Sequence, residues 1–245
     1  MNPVYSKRFT VLNSDTDCFR RLKPSQLLSY MQEAAGDHSA LLGAGKDTLQ
    51  AQNLFWAVLR HKVVITRLPC VGETVTVETW PMPTTRSAYP RSAIGYDEKG
   101  NELFRSISLW VLMNAQQRSL VLPGKSGVIV DGVLRGNELA IPGSQVPQVL
   151  KNQTLRQVQF TELDQNGHMN NCRYLDWACD LLPSGFHRQH PLREFSVRYL
   201  SEAKEQELLN LSWELTEDGA LALSASRKQT QQGDHSHVFS MELVY

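Results

Sequence analysis

The chain has 245 residues, enough for one large domain or two small domains with a sizeable core. Its 25 basic and 25 acidic residues give a formal net charge of zero, and because nucleic-acid-binding proteins usually carry a basic excess, that class is disfavoured. No apolar run approaches the length of a membrane span, and residues 1–8 contain no apolar signal core, so we predict a cytoplasmic protein without a membrane span.

The first half of the chain predicts a strand, a polar turn, a helix and then several strands. Phe9 and Val11 mark the first strand, and Pro24 opens the helix, because proline is favoured in the first helical turn. The apolar stripe of this helix contains Leu27, Leu28, Met31, Ala34 and Ala35. Apolar and β-branched residues then predict strands over about residues 56–65, 75–79, 86–96 and 102–114.

Glycine and proline become frequent between residues 123 and 150, which predicts a crossover or linker. After it the same order restarts with a strand near Leu155–Phe160, a polar loop, and a helix that extends to Leu182. Pro183 cannot continue that helix. Further strands are predicted over about residues 193–200, 208–215, 221–227 and 238–244.

The repeated order of elements indicates a duplicated domain, and matching residues support this interpretation. The pairs at an offset of 149 are Asp15–Asp17 with Asp164–Asn166 and Phe19 with His168, and the pairs at an offset of 132 are Leu68 with Leu200 and Cys70 with Glu202. On this alignment the two polar segments are expected in equivalent places. Only the second copy retains its polar groups.

The polar loop of the second half reads Asp164-Gln165-Asn166-Gly167-His168-Met169-Asn170-Asn171. The imidazole of His168 can transfer protons near neutral pH, and the amide of Asn166 can donate to a carbonyl. Asn170 or Asn171 fits an N-cap, and backbone amides at the helix start favour developing negative charge. Taken one at a time, these residues equally fit Asx turns or a cap, and Glu202 fits a solvated charge at a strand end.

The pattern D-x-N-x-H-x-N-N before an apolar helix resembles the active-site segment of the acyl-ACP thioesterases, a hot-dog-fold family. Leu54–Arg60, Trp110–Asn114 and Tyr199–Ala203 resemble further segments of that family in the same order, and the resemblance covers about residues 5–245. It implies an α+β fold with two tandem hot-dog domains, each an antiparallel sheet wrapped around one long helix. The implied domains are residues 1–122, which bind the acyl chain and carry a degenerate site, a linker over 123–150, and a catalytic domain over 151–245.

The resemblance also implies hydrolysis of fatty acyl-ACP thioesters, which releases free fatty acid and holo-ACP and ends chain elongation in fatty-acid biosynthesis. It carries catalytic roles onto Asp164, Asn166, His168 and Glu202, with Asn170 as a further site candidate, and both Glu202 and His168 fit the general base. The implied partner is an acyl carrier protein that bears an acylated phosphopantetheine arm. No cofactor is implied, and because the closely spaced histidines lack a matching acidic or cysteine cluster, no metal site is predicted.

An acyl chain needs an apolar tunnel, which we expect in the first half because that half lacks catalytic groups. Candidate walls, which equally fit an ordinary core, are Leu27, Met31, Phe55 and Trp56. Carrier proteins are acidic, so we also expect a basic patch that receives them. Candidate members, which equally fit a solvated face, lie in Arg20–Lys23, in Arg60–Lys62 and at Arg86 and Arg91.

Other functions fit parts of the pattern. An acyl-CoA thioesterase of the same fold would use the same chemistry on a different carrier. A non-catalytic acyl-binding sensor would need the fold alone, and the joint presence of His168, Asn166 and Glu202 favours an enzyme over it. A hot-dog dehydratase typically builds its site across a dimer interface, whereas this chain contains both copies.

Cysteine catalysis is disfavoured by the residue types at two places. Ala203 follows Glu202, at the position where some members of the family carry cysteine. Cys172 and Cys179 lie in the predicted helix, where a small buried thiol is the ordinary interpretation.

A homodimer stays open as an alternative to a monomer.

Overall fold

Two units make up the chain in the computed structural model, one over Met1–Pro142 and the other over Gly143–Tyr245. The structure describes residues 2–143, 150–227 and 237–245. Residues 123–142, which were predicted as part of a linker, belong to the first unit, where Val133 N–H donates to Pro81 O (2.9 Å). The last part of the predicted linker, residues 144–149, lies outside the described residues.

The first unit combines one long helix and two short helices with an antiparallel sheet. Its helices are α1 (Pro24–Leu41), α2 (Lys46–Ala51) and α3 (Pro123–Ser126), and its strands are β1 (Tyr5–Thr10), β2 (Leu54–Ile65), β3 (Thr74–Pro81), β4 (Tyr89–Tyr96), β5 (Glu102–Asn114) and β6 (Leu120–Val121). The strand order is β1-β3-β4-β5-β2, and β6 pairs with β5. Sequence-neighbouring strands β3, β4 and β5 therefore also lie side by side in the sheet.

Helix α1 begins where the sequence predicts it, because Pro24 occupies the first turn and Lys23 before it is extended. The buried side of α1 contains Leu27, Leu28, Met31 and Ala34, together with Ser25, Tyr30 and His38. This side packs against β1 and β3. The predicted apolar stripe is thus confirmed, except that Ala35 is only half-buried and lines a cavity.

The second unit has five antiparallel strands and two short helices among its described residues. Its helices are α4 (Arg173–Cys179) and α5 (Ser184–Gln189), and its strands are β7 (Asn152–Gln157), β8 (Glu194–Tyr199), β9 (Leu208–Leu215), β10 (Ala220–Arg227) and β11 (His237–Val244). The strand order is β8-β11-β10-β9-β7. β7 ends earlier than predicted, and Phe160–Glu162 forms one 3₁₀ turn in place of the strand end.

Helix α4 is shorter than predicted, because it ends at Cys179 rather than at Leu182. Leu181 N–H donates to Ala178 O (3.3 Å) and Leu182 N–H to Cys179 O (3.3 Å), so the chain tightens into i→i−3 turns. Pro183 accounts for this ending, since proline disfavours the helical conformation of the residue before it. The prediction of one long helix is therefore wrong for this unit, where α4 has seven residues.

Aromatic side chains hold α4 against its sheet. The Tyr174 ring meets the edge of Tyr199 on β8 (5.8 Å between centroids) and of Phe239 on β11 (4.7 Å). Trp177 and Leu175 are fully buried. Such aromatic pairs contribute about 0.5–1.5 kcal/mol each beyond the burial of their area, and they stabilise a helix that is too short to be stable alone.

The predicted α+β class with antiparallel sheets is confirmed.

The same turn occurs in both units and fixes how the repeat aligns. In the first unit, Asp17 N–H donates to Arg21 O (2.8 Å), and Asp17 Oδ1 accepts from Arg21 N–H (3.0 Å). In the second unit, Asp164 N–H donates to His168 O (2.8 Å), and Asp164 Oδ1 accepts from His168 N–H (3.3 Å). Asp164 is therefore the equivalent of Asp17, which sets the offset of the repeat in this turn.

This offset corrects the alignment predicted from the sequence, which paired Asp15–Asp17 with Asp164–Asn166 and is wrong by two residues. A second hydrogen bond follows the corrected alignment: Tyr30 Oη donates to Asp15 Oδ2 (2.8 Å), and Trp177 Nε1 donates to Glu162 Oε1 (2.6 Å). The predicted alignment paired residues of the same type, whereas the two turns are equivalent in their hydrogen bonds. His168 is thus equivalent to Arg21 and not to Phe19.

The partner segment of the turn is corrected in the same way. Leu22 N–H donates to Pro69 O (2.7 Å) in the first unit, and Met169 N–H donates to Ala203 O (2.8 Å) in the second. Because Pro69 corresponds to Ala203, the residue before each corresponds too. Glu202 is therefore equivalent to Leu68, and the predicted pairing of Glu202 with Cys70 is wrong.

Candidate functional site

The polar loop of the second unit folds as a tight turn around the carboxylate of Asp164. Asp164 Oδ1 accepts from Asn166 N–H (2.7 Å) and from His168 N–H (3.3 Å), and Asp164 O accepts from Gly167 N–H (3.1 Å). Gly167 has φ 74°, a left-handed conformation that glycine adopts without steric cost. Asp164 thus acts on the backbone of the loop, because its carboxylate holds the amide groups of Asn166 and His168 in place.

The side chains of His168 and Glu202 come from different elements and meet, as predicted. His168 Nε2 lies 3.3 Å from Glu202 Oε2, with the two side chains 18% and 38% exposed. The bond from Met169 N–H to Ala203 O (2.8 Å) joins the two segments directly beside the pair. An imidazole and a carboxylate at this distance, partly open to water, have the geometry needed for general acid–base chemistry.

The two predicted asparagines differ in their contacts. Asn166 is exposed, and its Nδ2 lies 3.4 Å from Asp164 Oδ2, which leaves a second amide hydrogen that can donate to a carbonyl. Asn170 Oδ1 accepts from Cys172 N–H (2.9 Å), in the turn just before α4. The residue directly before α4 is Cys172, which makes no side-chain capping bond, so the N-cap predicted at Asn170 or Asn171 is not at the observed start of the helix. The site role assigned to Asn170 stays a prediction.

Three of the backbone amides at the start of α4 are bonded within the protein. Asn170 N–H donates to Glu162 O (2.8 Å), Cys172 N–H donates to Asn170 Oδ1, and Arg173 N–H donates to Asn170 O (2.9 Å). A donor that is engaged within the protein does not stabilise a substrate oxyanion. Asn166 and His168 are therefore the candidate donors among the predicted site residues.

Arg227 at the end of β10 holds the segment that carries Glu202, and the sequence did not single it out. Its guanidinium donates to Glu202 O (2.5 Å), to Ser201 Oγ (2.7 Å) and to Glu207 Oε1 (2.5 Å). Glu207 in turn accepts from Lys204 N–H (3.0 Å). Burial raises the pKa of Glu207, but the hydrogen bonds from Arg227 and Lys204 outweigh it, so the pKa is lowered and the carboxylate stays charged.

A signal for this contact was present in the first unit. Glu73 is the equivalent of Glu207, because Val11 N–H donates to Glu73 O (3.0 Å) where Val158 N–H donates to Glu207 O (3.0 Å). Glu73 likewise pairs with an arginine, Arg67 (2.7 Å). The corrected alignment of the repeat would therefore have pointed to Glu207. It would not have pointed to Arg227, because Arg227 lies on β10 and is not the equivalent of Arg67.

We expect Arg227→Gln to lower turnover, because the Glu202 backbone loses its support. Lost charge-assisted hydrogen bonds should also cost roughly 1.5–3 kcal/mol of the free energy of unfolding. Arg67→Gln is the matched control, since it removes the equivalent pair from the unit that lacks His168 and Glu202. Turnover and urea unfolding should be measured on both. Equal losses of turnover in the two variants would contradict a positioning role for Arg227.

The first unit contains a cavity of about 170 Å³ beside the second half of α1. Its walls include Leu42, Trp56, Tyr89 and Trp110, and its charged members are Arg91 and Lys46. Trp56 is fixed there, because its Nε1–H donates to Ala44 O (2.9 Å) and its ring meets Tyr89 edge-on (4.9 Å). The cavity is therefore a mainly apolar space with rigid aromatic walls.

The residues predicted as walls of an acyl tunnel separate into three groups. Trp56 lines this cavity, and Met31 lines a smaller cavity next to it. Leu27 is fully buried on α1. Phe55 packs its ring under the Arg118 guanidinium, 5.1 Å from the ring centroid. Their roles in substrate binding stay predictions.

Two members of the predicted basic patches do not lie on the surface. His61 is 4% exposed and Arg91 is 9% exposed. Neither can receive an acidic protein, so their assignment to a docking face is wrong. The sequence did not reveal their burial, because a histidine or arginine between polar neighbours usually marks a solvated strand face.

The four cysteines differ in their exposure. Cys172 is buried and Cys179 half-buried, while Cys18 and Cys70 are exposed. In residues 2–143, 150–227 and 237–245, no three His, Cys, Asp or Glu side chains are grouped as metal ligands would be. Within the same ranges, no helix combines the length and the apolar character that crossing a membrane requires.

Known proteins match the chain over both units. The family model for the acyl-ACP thioesterase N-terminal domain matches residues 2–122, and the one for the acyl-ACP thioesterase C-terminal domain matches residues 147–242. A crystal structure of an acyl-ACP thioesterase from Bacteroides thetaiotaomicron has the same fold, with a TM-score of 0.84 and 20% identity over 99% of this chain and 98% of that one. The fold is therefore the hot-dog fold.

Two curated plant relatives match at the sequence level. The chloroplastic palmitoyl-acyl carrier protein thioesterase of Gossypium hirsutum is 27% identical over 221 residues, which cover 84% of this chain and 54% of that protein. The chloroplastic dodecanoyl-[acyl-carrier-protein] hydrolase of Cinnamomum camphora is 27% identical over 227 residues, which cover 84% and 58%. The chain thus spans little more than half the length of these relatives. Because the two family models together match most of the chain, this protein belongs to the acyl-ACP thioesterase family.

Proposed function

We propose that this protein hydrolyses fatty acyl-ACP thioesters and releases free fatty acid and holo-ACP, which ends chain elongation in fatty-acid biosynthesis. The observation that carries the proposal is the His168–Glu202 pair, 3.3 Å apart and partly open to water, with His168 on the same loop as the exposed Asn166. Family membership and the names of the two plant relatives support the reaction type and the carrier.

In the proposed mechanism, water attacks the carbonyl carbon of the thioester. Glu202 takes the proton of that water, and the His168 Nε2–H donates to the same carboxylate and holds it in place. The larger exposure of Glu202 supports this division of roles. The amide of Asn166 donates to the carbonyl oxygen, on which negative charge develops.

The tetrahedral intermediate then collapses. The carbon–sulfur bond breaks, and the proton held by the Glu202–His168 pair passes to the leaving sulfur of the phosphopantetheine arm. The products are a fatty acid and a free thiol, so atoms and charges balance without a cofactor. Asp164 takes no part in proton transfer here, because its carboxylate acts on the loop backbone.

The cavity of the first unit is the proposed binding region for the acyl chain. Its aromatic and aliphatic walls suit methylene groups, as ligand pockets generally do. The two relatives are named for palmitoyl and dodecanoyl substrates, so their names do not transfer one chain length to this protein. The acylated carrier protein is the proposed partner, and the homodimer and the cytoplasmic location stay predictions.

Side-by-side kinetics would test this function. Purified protein is given saturated acyl groups of matched chain lengths on ACP and on CoA, and thiol release is followed. We expect turnover on ACP with a higher kcat/KM than on CoA. A preference for CoA would favour an acyl-CoA thioesterase, and binding of both without turnover would favour a non-catalytic acyl sensor.

We expect Cys172→Ala and Cys179→Ala to retain turnover, because Ala203 replaces the cysteine that some members of the family carry and neither thiol belongs to the His168–Glu202 pair. Removal of the buried Cys172 side chain should cost about 1 kcal/mol of the free energy of unfolding, as small core truncations do. Steady-state kinetics with a melting curve for each variant check this. A folded alanine variant without turnover would support a cysteine mechanism instead.

A further inference from the structure

Arg91 is a buried arginine without an acidic partner. It lies on β4, is 9% exposed, and is charged, since burial lowers its pKa only to about 10. Its Nη1 lies 3.2 Å from His38 Nδ1 and 3.2 Å from Thr79 Oγ1, and its Nη2 lies 3.4 Å from Ser39 Oγ. None of these partners is a carboxylate, and its Nε makes no hydrogen bond within the described parts of the chain.

The groups around Arg91 add hydrogen-bonding capacity but no negative charge. Burial, together with the Arg91 charge, lowers the pKa of His38, and burial lowers the pKa of His61 to about 4, so both imidazoles are neutral. The Nε2 atom of His61 is buried and has no partner among the described residues, whereas His38 also bonds to the backbone of Asn2. A positive charge and one unused imidazole nitrogen are therefore held together inside the first unit.

This polar cluster borders the space proposed for the acyl chain. Arg91 and Gln32 line both the cavity of about 170 Å³ and the smaller cavity beside it. The smaller cavity also has the side chains of His61, Thr79, Ser92, Ser106 and Ser108 in its lining. An occupant that entered from the aromatic walls would thus meet hydroxyl, imidazole and guanidinium groups at Arg91.

A hydrocarbon chain cannot compensate the charge of Arg91 in this polar cluster. A charge taken out of water is costly unless an opposite charge and hydrogen bonds compensate it. Methylene and methyl groups offer neither, whereas a carboxylate matches the planar guanidinium with two parallel hydrogen bonds. The neutral imidazole of His61 and the serine hydroxyls line the smaller cavity and can donate further bonds to the same oxygen atoms.

We propose that Arg91 binds a carboxylate at the far end of the acyl chain, so that ω-carboxyacyl thioesters are preferred substrates of this protein. The proposal rests on the proposed function, because it names the substrate class of the same reaction. Arg91 then acts as a specificity-determining residue and takes no part in bond breaking. The methylene chain between the two ends contacts the aromatic walls.

The test compares two ACP thioesters of equal chain length, one saturated and one with a terminal carboxylate. The ratio of their kcat/KM values is measured for the wild type, for Arg91→Met and for the exposed control Arg86→Met. We expect the wild type and the control to favour the ω-carboxyacyl substrate, and Arg91→Met to lower the ratio by about 30-fold or more. Because each ratio is taken within one preparation, it does not depend on the folded fraction.

Arg91→Lys serves if the methionine variant does not fold, since it retains charge but loses the planar fork, and it should lower the ratio by a smaller factor. A wild type that hydrolyses the saturated substrate as well as or better than its ω-carboxy counterpart would overturn the proposal and leave the proposed function intact. Absence of turnover on both substrates would overturn the proposed function and this proposal with it. An Arg91-dependent rise in melting temperature with chloride or sulfate, with an unchanged substrate ratio, would show that Arg91 holds a small ion only.

Discussion

Glu202→Gln is expected to lower turnover by roughly 10²–10⁴-fold, the usual size of a positioned acid or base. Glutamine retains the shape of the side chain but cannot take a proton from water. His168 Nε2 would keep a neighbour at about the same place, so the loss would report chemistry rather than a collapsed loop. Single-turnover kinetics on a good acyl-ACP substrate measure it directly.

His168→Ala should lose turnover in the same range, because the carboxylate loses the donor 3.3 Å away. The double variant should lose less than the product of the two single losses, since groups that act as a unit are non-additive. Glu205→Gln is the matched control, an exposed carboxylate on the same segment, and should retain turnover. Near-full activity of Glu202→Gln would remove Glu202 from the mechanism and leave His168 as the base.

Trp177→Ala is expected to lower the free energy of unfolding by about 3–5 kcal/mol, the cost of deleting a large aromatic side chain from a core. Trp177 is fully buried, its Nε1–H donates to Glu162 Oε1 (2.6 Å), and the Arg156 guanidinium lies 5.2 Å from its ring centroid. Guanidinium chloride unfolding followed by circular dichroism gives the value. The loss should also disturb the site, because Glu162 O holds the Asn170 amide.

Two further variants separate packing from hydrogen bonding at this position. Trp177→Phe retains an aromatic ring but removes the donor to Glu162 Oε1, so we expect a smaller loss, roughly 1–3 kcal/mol. Trp213→Ala removes a half-buried tryptophan from β9 of the same unit and should cost less than Trp177→Ala. Equal losses for both alanine variants would show that burial at Trp177 does not set the stability of the unit.

The local elements were determined by the sequence to a large extent. Pro24 and the apolar stripe after it fixed α1, because a helix buries residues at a period of 3.6. The strands that became β5 and β9 were predicted with their observed bounds, Glu102–Asn114 and Leu208–Leu215. Both signals are local, since propensity and period act over a few residues and need no distant partner.

The chemical types at the site also followed from the sequence, and their arrangement did not. Asp164, Asn166, His168 and Glu202 were identified as candidates, but the backbone hydrogen bonds that Asp164 and Asn170 accept could not be read from the residue types. The sequence also predicted that amides at the start of α4 favour developing negative charge, and the structure shows that three of them are bonded to Glu162 and Asn170.

Tertiary structure alone decided which residues are equivalent, which are buried and which distant groups meet. The predicted alignment of the repeat paired residues of similar type and was wrong by two residues. The equivalent positions are set by the hydrogen bonds of the turn, such as that between Asp17 and Arg21. Arg91 was assigned to the surface because burial depends on the neighbouring helix and strands, which no local period encodes. The support of Glu202 by Arg227 joins the segment after β8 to the end of β10, and the sequence does not specify this contact. Such contacts arise from packing between segments far apart in the chain, and for this protein only the folded structure determines them.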